Sequence, residues 1–271
     1  MKIKVGLVQL EIRDGDVEDN ISKGVEYITK LARNGSDLIV LPELWPTGYG
    51  KEFIHKFSKN KKYYEGLVNV LKSISSEYNS VIIAPMPMKD GNRIYNAAIV
   101  AYGDDIVAIY RKIHLFSLFG EDKLFTKGND ITIVSVKEFN LGLAICYDLR
   151  FPELFRILAA KEVHVIAIPA SWGASRAEQW RTLLKARAME NQVYVIGVNR
   201  VGYSEAVKEE FPGNSCVIDP LGNEVICLGR YEEAVDVVID LDQITKARSY
   251  LPLWSDRRVD LYSLRSKWGL Y

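Results

Sequence analysis

Apolar residues along this chain come in two alternating patterns. Residues 3–10 form a strand-like run, after which Ile21, Val25, Ile28 and Ala32 fall at helical spacing. Asp16, Glu18 and Asp19 stand near the first turn of that helix and Gly35 just past its end, which supplies its start and stop signals. The run DLIVLP (37–42) is continuously apolar, as in a strand covered on both faces. Leu67, Val70, Leu71, Ile74 and Tyr78 mark a second amphipathic helix, and VIIAP (81–85) a second buried strand. DGN (90–92) reads as a hairpin turn between strands, and YGDD (102–105) as a turn that leads into the strand IVAIY.

The second half repeats this order of elements without repeating the sequence. Strands at 131–136 and 141–145 lead to a helix opened by Pro152, a residue suited to the first helical position. The strand VHVIAIP (163–169) follows, then a helix over 177–190 and the strand VYVIGVN (193–199). Strands at 215–219 and 224–228 are joined by the turn PLGN, and AVDVVIDL (234–241) completes the set. Strands alternating with helices predict a layered α/β protein with buried sheets. No Ser/Gly/Pro-rich linker separates the halves, so residues 1–271 read as a single domain of two packed sheets with helices outside. From about residue 250 the sequence LPLWSDRRVDLYSLRSKWGLY is aromatic and basic without clear periodicity, a tail expected to dock on the body or on a dimer partner.

Composition narrows the class. The 271 residues are 48% hydrophobic and 26% charged, and the formal net charge is zero. That removes any global attraction to nucleic acid or to an anionic membrane, and the short run 59–62, with its three lysines, reads as a solvated face. No uninterrupted apolar segment approaches the roughly 20 residues a membrane helix needs. The brief apolar run between Lys4 and Glu11 is too short for a signal peptide. Three cysteines, Cys146, Cys216 and Cys227, are an odd and sparse set that argues against a disulfide framework. Cys216 and Cys227, inside plain strands, read as small core residues. The expectation is a soluble, cytoplasmic protein. Only four glutamines against many lysines and glutamates hint at a heat-adapted source.

In layered α/β folds chemistry collects in the loops at the carboxyl ends of strands. Glu43 follows DLIVLP, Lys112 follows IVAIYR and Cys146 follows LGLAI. Taken singly, Glu43 is a capping or salt-bridging carboxylate, Lys112 a surface ammonium, and Cys146 a core thiol. Together they make chemical sense. A free thiol has a pKa of about 8.5 and is only a few per cent thiolate at neutral pH. A carboxylate can take its proton as the sulfur attacks a carbonyl carbon, and burial raises that carboxylate's own pKa, which suits a general base. A nearby ammonium stabilises thiolate and also the oxyanion of a tetrahedral intermediate, where one donor is worth roughly 3–4 kcal/mol. The helix expected to start just after Cys146 would favour the thiolate as well. The backbone N–H of Tyr147 follows the nucleophile and is a natural second oxyanion donor. Glu121, in FGED, could orient Lys112 or the substrate.

The same residues carry a resemblance. LPELWPTGY (41–49), YRKIHLF (110–116), FGEDKLFTKG (119–128) and AICYDLRFPEL (144–154) resemble the nitrilase superfamily of carbon–nitrogen hydrolases. IPASW (168–172), RAMENQVYVIGVN (187–199), GNSCVIDPLGNEV (213–225) and LPLWSDRRVDLY (251–262) extend the match over nearly the whole chain. Within the superfamily, KIHLF with CYDLRFPEL is most similar to the omega-amidase branch. The resemblance implies a four-layer α-β-β-α sandwich of two mixed sheets flanked by helices, pairing into an α-β-β-α-α-β-β-α homodimer. It implies a Glu-Lys-Cys triad on Glu43, Lys112 and Cys146, an additional glutamate at Glu121, and no metal or organic cofactor. The loop after Trp172, GASRAEQW, departs from many relatives where substrate contacts are expected.

The expected reaction is hydrolysis of a small non-peptide amide through a thioester on Cys146. For a dicarboxylic acid monoamide, Arg150 and Arg176 are candidates to hold the far carboxylate. Arg150 has a structural alternative as partner of Asp148 or Glu153. Tyr49 and Trp172 are expected to line the pocket, with core packing as the plain alternative. Within the superfamily, a nitrilase or an N-carbamoyl amide hydrolase fits the same motifs. Outside it, a cysteine–histidine hydrolase would use His114 or His164, although His164 opens a strand at the wrong end. A catalytically silent binding scaffold is at odds with the complete set of Glu43, Lys112 and Cys146. Zinc lacks a C-x-x-C or H-x-x-x-H pairing, and a serine hydrolase lacks the G-x-S-x-G elbow.

Overall fold

The structure, a computed structural model, describes residues 1–262, 265–266 and 269–270. The first half runs β1 (Lys2–Gln9), α1 (Val17–Arg33), β2 (Leu38–Val40), α2 (Lys51–Lys59), α3 (Lys61–Tyr78), β3 (Val81–Asp90), β4 (Arg93–Tyr102) and β5 (Asp105–Arg111). After the short α4 (Glu121–Leu124) come β6 (Ile133–Val136), β7 (Phe139–Leu143), α5 (Pro152–Ala160), β8 (Val165–Ala170), α6 (Ala177–Asn191) and β9 (Tyr194–Asn199). The chain closes with β10 (Val201–Ser204), β11 (Glu209–Pro212), β12 (Cys216–Ile218), β13 (Glu224–Cys227), β14 (Glu233–Asp240) and α7 (Asp242–Tyr250).

Two mixed six-stranded sheets result, ordered β14-β1-β2-β3-β4-β5 and β13-β12-β9-β8-β7-β6. In each, three parallel strands form the centre, β1-β2-β3 and β7-β8-β9, and antiparallel strands flank them. Strand β1 explains the layering. Its Val5 and Leu7 face the core between the sheets, where they join Leu141, Leu143 and Val165. Its Val8 faces the other way, into a layer with Ile28 and Leu31 of α1 and Leu67 and Leu71 of α3. Side chains alternate along a strand, so a strand with apolar layers on both faces must be continuously apolar. The second sheet is covered in turn by Phe155 and Leu158 of α5 and by Trp180 and Leu184 of α6. The layers are therefore α-β-β-α. Helix α1 crosses Trp45 at Gly24, where a Cβ would come within 2.3 Å of the indole. Glycine thus lets the helix lie directly on the loop that follows Glu43.

Local patterning missed several elements. Helices α2 and α3 meet at Asn60, whose side chain accepts from the Tyr63 N–H at 3.1 Å and caps α3. The lysines at 59, 61 and 62 are solvent-exposed there, as read from the sequence. Helix α7 and the β10–β11 hairpin gave no periodic signal. Of the C-terminal tail, Trp254 packs against the main core and lies under the guanidinium groups of Arg156, Arg248 and Arg257. The tail residues 263–264, 267–268 and 271 lie outside the described residues. Among the described residues no helix is long and apolar enough to cross a membrane.

The cysteine reading needs correction. Cys216 and Cys227 form a disulfide. They are register partners on the adjacent antiparallel strands β12 and β13, with Cα atoms 4.2 Å apart. Strand pairing, which a cysteine count does not see, brings them together. The link closes a loop with a sequence separation of 11. Loop entropy assigns such a closure about 2–3 kcal/mol of stability. The Cys216→Ser/Cys227→Ser variant is therefore expected to melt about 5–10 °C lower by calorimetry. An unchanged Tm would mean that strand pairing alone holds this edge.

Candidate active site

The carboxyl ends of β2, β7 and β8 meet where the two sheets pack. The Glu43 N–H donates to the Ala170 carbonyl at 3.4 Å, and the Ser171 hydroxyl donates to the Glu43 carbonyl at 3.2 Å. These bonds staple the exit of β2 in one sheet to the exit of β8 in the other. Just past β5, the Lys112 N–H donates to Asn96 and its carbonyl accepts from Gly128. Past β7, Ala144 donates to Ala167, and the chain then turns sharply at Cys146. Leu44 and Cys146 both adopt positive φ, 50° and 46°. For side chains of this size that conformation costs on the order of 1–3 kcal/mol, and the surrounding packing must hold it.

The side chains converge in a fully enclosed cluster. Glu43, Lys112 and Glu121 are completely buried, and Cys146 nearly so. The Lys112 ammonium lies 2.7 Å from Glu43 Oε1 and 2.8 Å from Glu121. Glu43 also accepts from the Asn96 amide at 2.7 Å and from the Ser171 N–H at 3.0 Å. The Cys146 thiol donates to the Ser171 carbonyl at 3.6 Å, so Ser171 touches both the sulfur and the carboxylate. Phe116 N–H fixes the second oxygen of Glu121 at 2.9 Å. The Tyr49 hydroxyl stands 3.1 Å from Glu43 and 3.0 Å from Glu121. A phenol has one proton, so it can donate to one carboxylate while accepting from the other only if that other is protonated.

Electrostatics agree with that count of one ammonium for two carboxylates. Burial, reinforced by Glu43, pushes Glu121 up to about 7 against the pull of Lys112. Burial opposes the charge on Lys112, yet Glu121 and Glu43 outweigh it and hold the ammonium above its ordinary value. The Cys146 thiol is pushed well up, first by burial and then by Glu43, with Lys112 pulling the other way. The expected help from a helix start is absent: residues 146–150 form a separate 3₁₀ turn, and α5 begins only at Pro152. The thiol is thus protonated at rest, and any nucleophilic role would need a base beside it. Tyr49 is likewise kept a neutral phenol by burial and by the two carboxylates.

The Glu121 shift has a consequence for stability. The folded protein binds this proton more tightly than the unfolded chain, where the carboxyl has its ordinary value of 4.5. The contribution is full below that value and is lost as pH rises through about 7. In urea titrations, wild type minus Glu121→Gln stability is expected to shrink between pH 5 and pH 8.5. A difference independent of pH would contradict the assignment.

Not every expected residue faces the cleft. Tyr147, Arg150, Trp172 and Arg176 line it beside Cys146, together with Phe116. Tyr49 instead lies behind, joined to the two carboxylates. Arg150 pairs with neither Asp148 nor Glu153; it donates to Gln179 at 2.6 Å and lies over the Trp172 ring at 4.6 Å. Arg176 pairs with Glu209 at 2.8 Å. The space left above Cys146 amounts to about 10 Å³, roughly what one water needs on this scale.

The two candidate histidines are otherwise engaged. His114 Nδ1 lies 2.7 Å from Asp148 Oδ1, and its ring stacks on Phe151 at 3.7 Å. His164 Nδ1 accepts from the Asn140 N–H at the far end of β8. Sequence reading missed Asn96, Ser171 and Asp148. Asp148 accepts from the Ile145 N–H, the His114 N–H and the Tyr110 hydroxyl, so it ties the Cys146 turn to the Lys112 segment. Asn96 carried a usable signal, a lone amide within the buried stretch of β4. Among the described residues, no group of three or more His, Cys, Asp or Glu could hold a metal ion.

Known proteins resemble this chain over nearly its whole length. The carbon–nitrogen hydrolase family matches residues 4–249. A 2-oxoglutaramate amidase of Bacillus subtilis is 33% identical over 264 residues, covering 97% of this chain and 100% of the relative. The chloroplastic omega-amidase of Arabidopsis thaliana is 32% identical, covering 97% of this chain and 74% of the relative. The crystal structure of Saccharomyces cerevisiae Nit3, a member of branch 10 of the nitrilase superfamily, superposes with a TM-score of 0.86. That similarity covers 95% of this chain and 97% of Nit3 at 29% identity. With the family's model matched over residues 4–249 and the Nit3 fold superposing over 95% of the chain, the chain belongs to the carbon–nitrogen hydrolase family of the nitrilase superfamily.

Proposed function

We propose that this hydrolase cleaves the monoamide of a small dicarboxylic acid, with Cys146 as nucleophile, Glu43 as general base and acid, and Lys112 as oxyanion donor. The observation that carries the reading is the enclosed cluster of Glu43, Lys112 and Glu121 joined to the Cys146 thiol through Ser171. Sγ attacks the amide carbon as Glu43 takes the thiol proton. The Lys112 ammonium and the Tyr147 N–H hold the oxyanion. The C–N bond then breaks, Glu43 returns its proton to the leaving ammonia, and a thioester remains on Cys146. Glu43 next takes a proton from water, whose oxygen attacks the thioester carbon. Collapse releases the carboxylic acid and restores the thiol. Glu121 and Tyr49 hold Lys112 and Glu43 in position throughout.

The substrate class is supported by the relatives named omega-amidase and 2-oxoglutaramate amidase. It is also supported by Arg150, a guanidinium at the cleft that donates to the neutral Gln179 amide. We propose further that the enzyme works as a homodimer in the cytoplasm. Tyr250, Leu251 and Leu261, exposed on α7 and the tail, support a surface for a second copy. The Cys216–Cys227 disulfide fits a cytoplasmic protein of a heat-adapted organism, the setting in which intracellular disulfides persist.

The test is an ammonia-release screen over dicarboxylate monoamides, aliphatic amides, nitriles and N-carbamoyl amino acids. Turnover is expected to be fastest with a monoamide. Preferential release from nitriles or carbamoyl compounds would contradict the reading.

A further inference from the structure

The loop after Trp172 carries an ion pair beside the cleft. Arg176 lines the cleft, and its guanidinium lies over the rings of Phe116 and Phe119 at 5.5 and 5.7 Å. Its charge is already engaged. Glu209, the first residue of β11, reaches across from the β10–β11 hairpin to Arg176 Nη2 at 2.8 Å, and Ser175 Oγ lies 3.4 Å from both Glu209 oxygens. Arg176 Nη1 donates to the same hydroxyl at 2.8 Å. Both side chains are mostly shielded, 24% exposed for Arg176 and 16% for Glu209, so the pair is weakly screened. Gly173 makes room for it: a Cβ there would lie 2.4 Å from the Glu209 carboxyl carbon and 2.7 Å from Arg176 Nη2. The hairpin is anchored in turn, since Ser204 Oγ and the Ala206 N–H donate to Asp14.

Two arginines therefore stand at the cleft in different states. Arg150 is held by a neutral amide and Arg176 by a carboxylate. We propose that Glu209 sets substrate specificity: it neutralises Arg176, so that the far carboxylate of a substrate is read by Arg150 and must compete with Glu209 for Arg176. The proposal rests on the dicarboxylate reading above. Glu209 acts through Arg176 and touches none of the reacting atoms, so it is a positioning residue. Removing its charge frees a second cation for anionic substrates alone. A hydrogen bond to a charged group is worth enough to change binding about tenfold.

The test compares succinamate, which carries a carboxylate, with butyramide, its neutral analogue of equal chain length. The readout is the ratio of kcat/KM for succinamate over butyramide in wild type, Glu209→Gln, and Glu209→Gln/Arg176→Gln. Glu209→Gln is expected to raise the ratio about tenfold, mainly through a lower KM for succinamate, and the double variant to cancel that gain. A merely structural latch would move both substrates together, and an unchanged or lower ratio in Glu209→Gln overturns the proposal. Wild-type enzyme that cleaves butyramide but not succinamate refutes the substrate reading itself and takes this proposal with it. Wild-type preference for succinamate with no response to Glu209→Gln leaves that reading standing and removes Glu209 alone.

Discussion

Replacing Cys146 by alanine is expected to lower ammonia release by about 10⁵-fold or more while leaving the fold intact, as removal of a covalent nucleophile does elsewhere. Burial keeps the thiol protonated, so the proposed attack needs Glu43 to take its proton. Once the sulfur is gone, no neighbouring group replaces it. Ser171 offers its backbone to both partners, and its hydroxyl is turned to the Glu43 carbonyl. The thiol makes one long hydrogen bond, at 3.6 Å. Its loss therefore costs little stability, and the variant should melt within a few degrees of wild type. Residual activity above about a thousandth of wild type would point to a different nucleophile.

Lys112→Met is expected to be both inactive and strongly destabilised. The ammonium is the shared partner of two buried carboxylates. Its removal leaves Glu43 and Glu121 facing each other without a cation, a change that typically costs about 3–5 kcal/mol. Protonation of a carboxylate relieves part of that cost, so the loss should be larger at pH 8 than at pH 5. Urea denaturation followed by tryptophan fluorescence measures it. Adding Glu121→Gln to Lys112→Met removes the excess negative charge and should restore part of the stability, but none of the activity. Equal stability of wild type and Lys112→Met across this range would mean that the ion pairs contribute nothing net.

The layered fold was legible because its strands are short and continuously apolar, as DLIVLP is, and burial on both faces leaves no other pattern. The three candidate site residues were legible for a related reason. Glu43 and Cys146 come just after buried apolar runs and Lys112 just after the half-exposed edge strand β5, so each stands at a strand exit. What local patterning could not supply was contact between distant segments. Glu43 meets Ser171 across 128 positions and Lys112 across 69. Cys216 and Cys227 looked like unrelated core residues until strand pairing set them opposite one another. Asp148 came up only as an alternative partner of Arg150, yet it gathers three donors, the Tyr110 hydroxyl of β5 and the His114 and Ile145 N–H groups of two loops. Glu209 sits in a hairpin too short and too polar to register as strands, so its pairing with Arg176 emerges only in three dimensions.

The central claim is that an acyl group passes through the Cys146 sulfur. Mixing enzyme with succinamate, quenching in acid during turnover and mapping peptides by mass spectrometry tests it directly. The account predicts an acyl mass on the peptide carrying Cys146 and its absence in Cys146→Ala. An acyl group on any other residue, or continued turnover by Cys146→Ala, would contradict it.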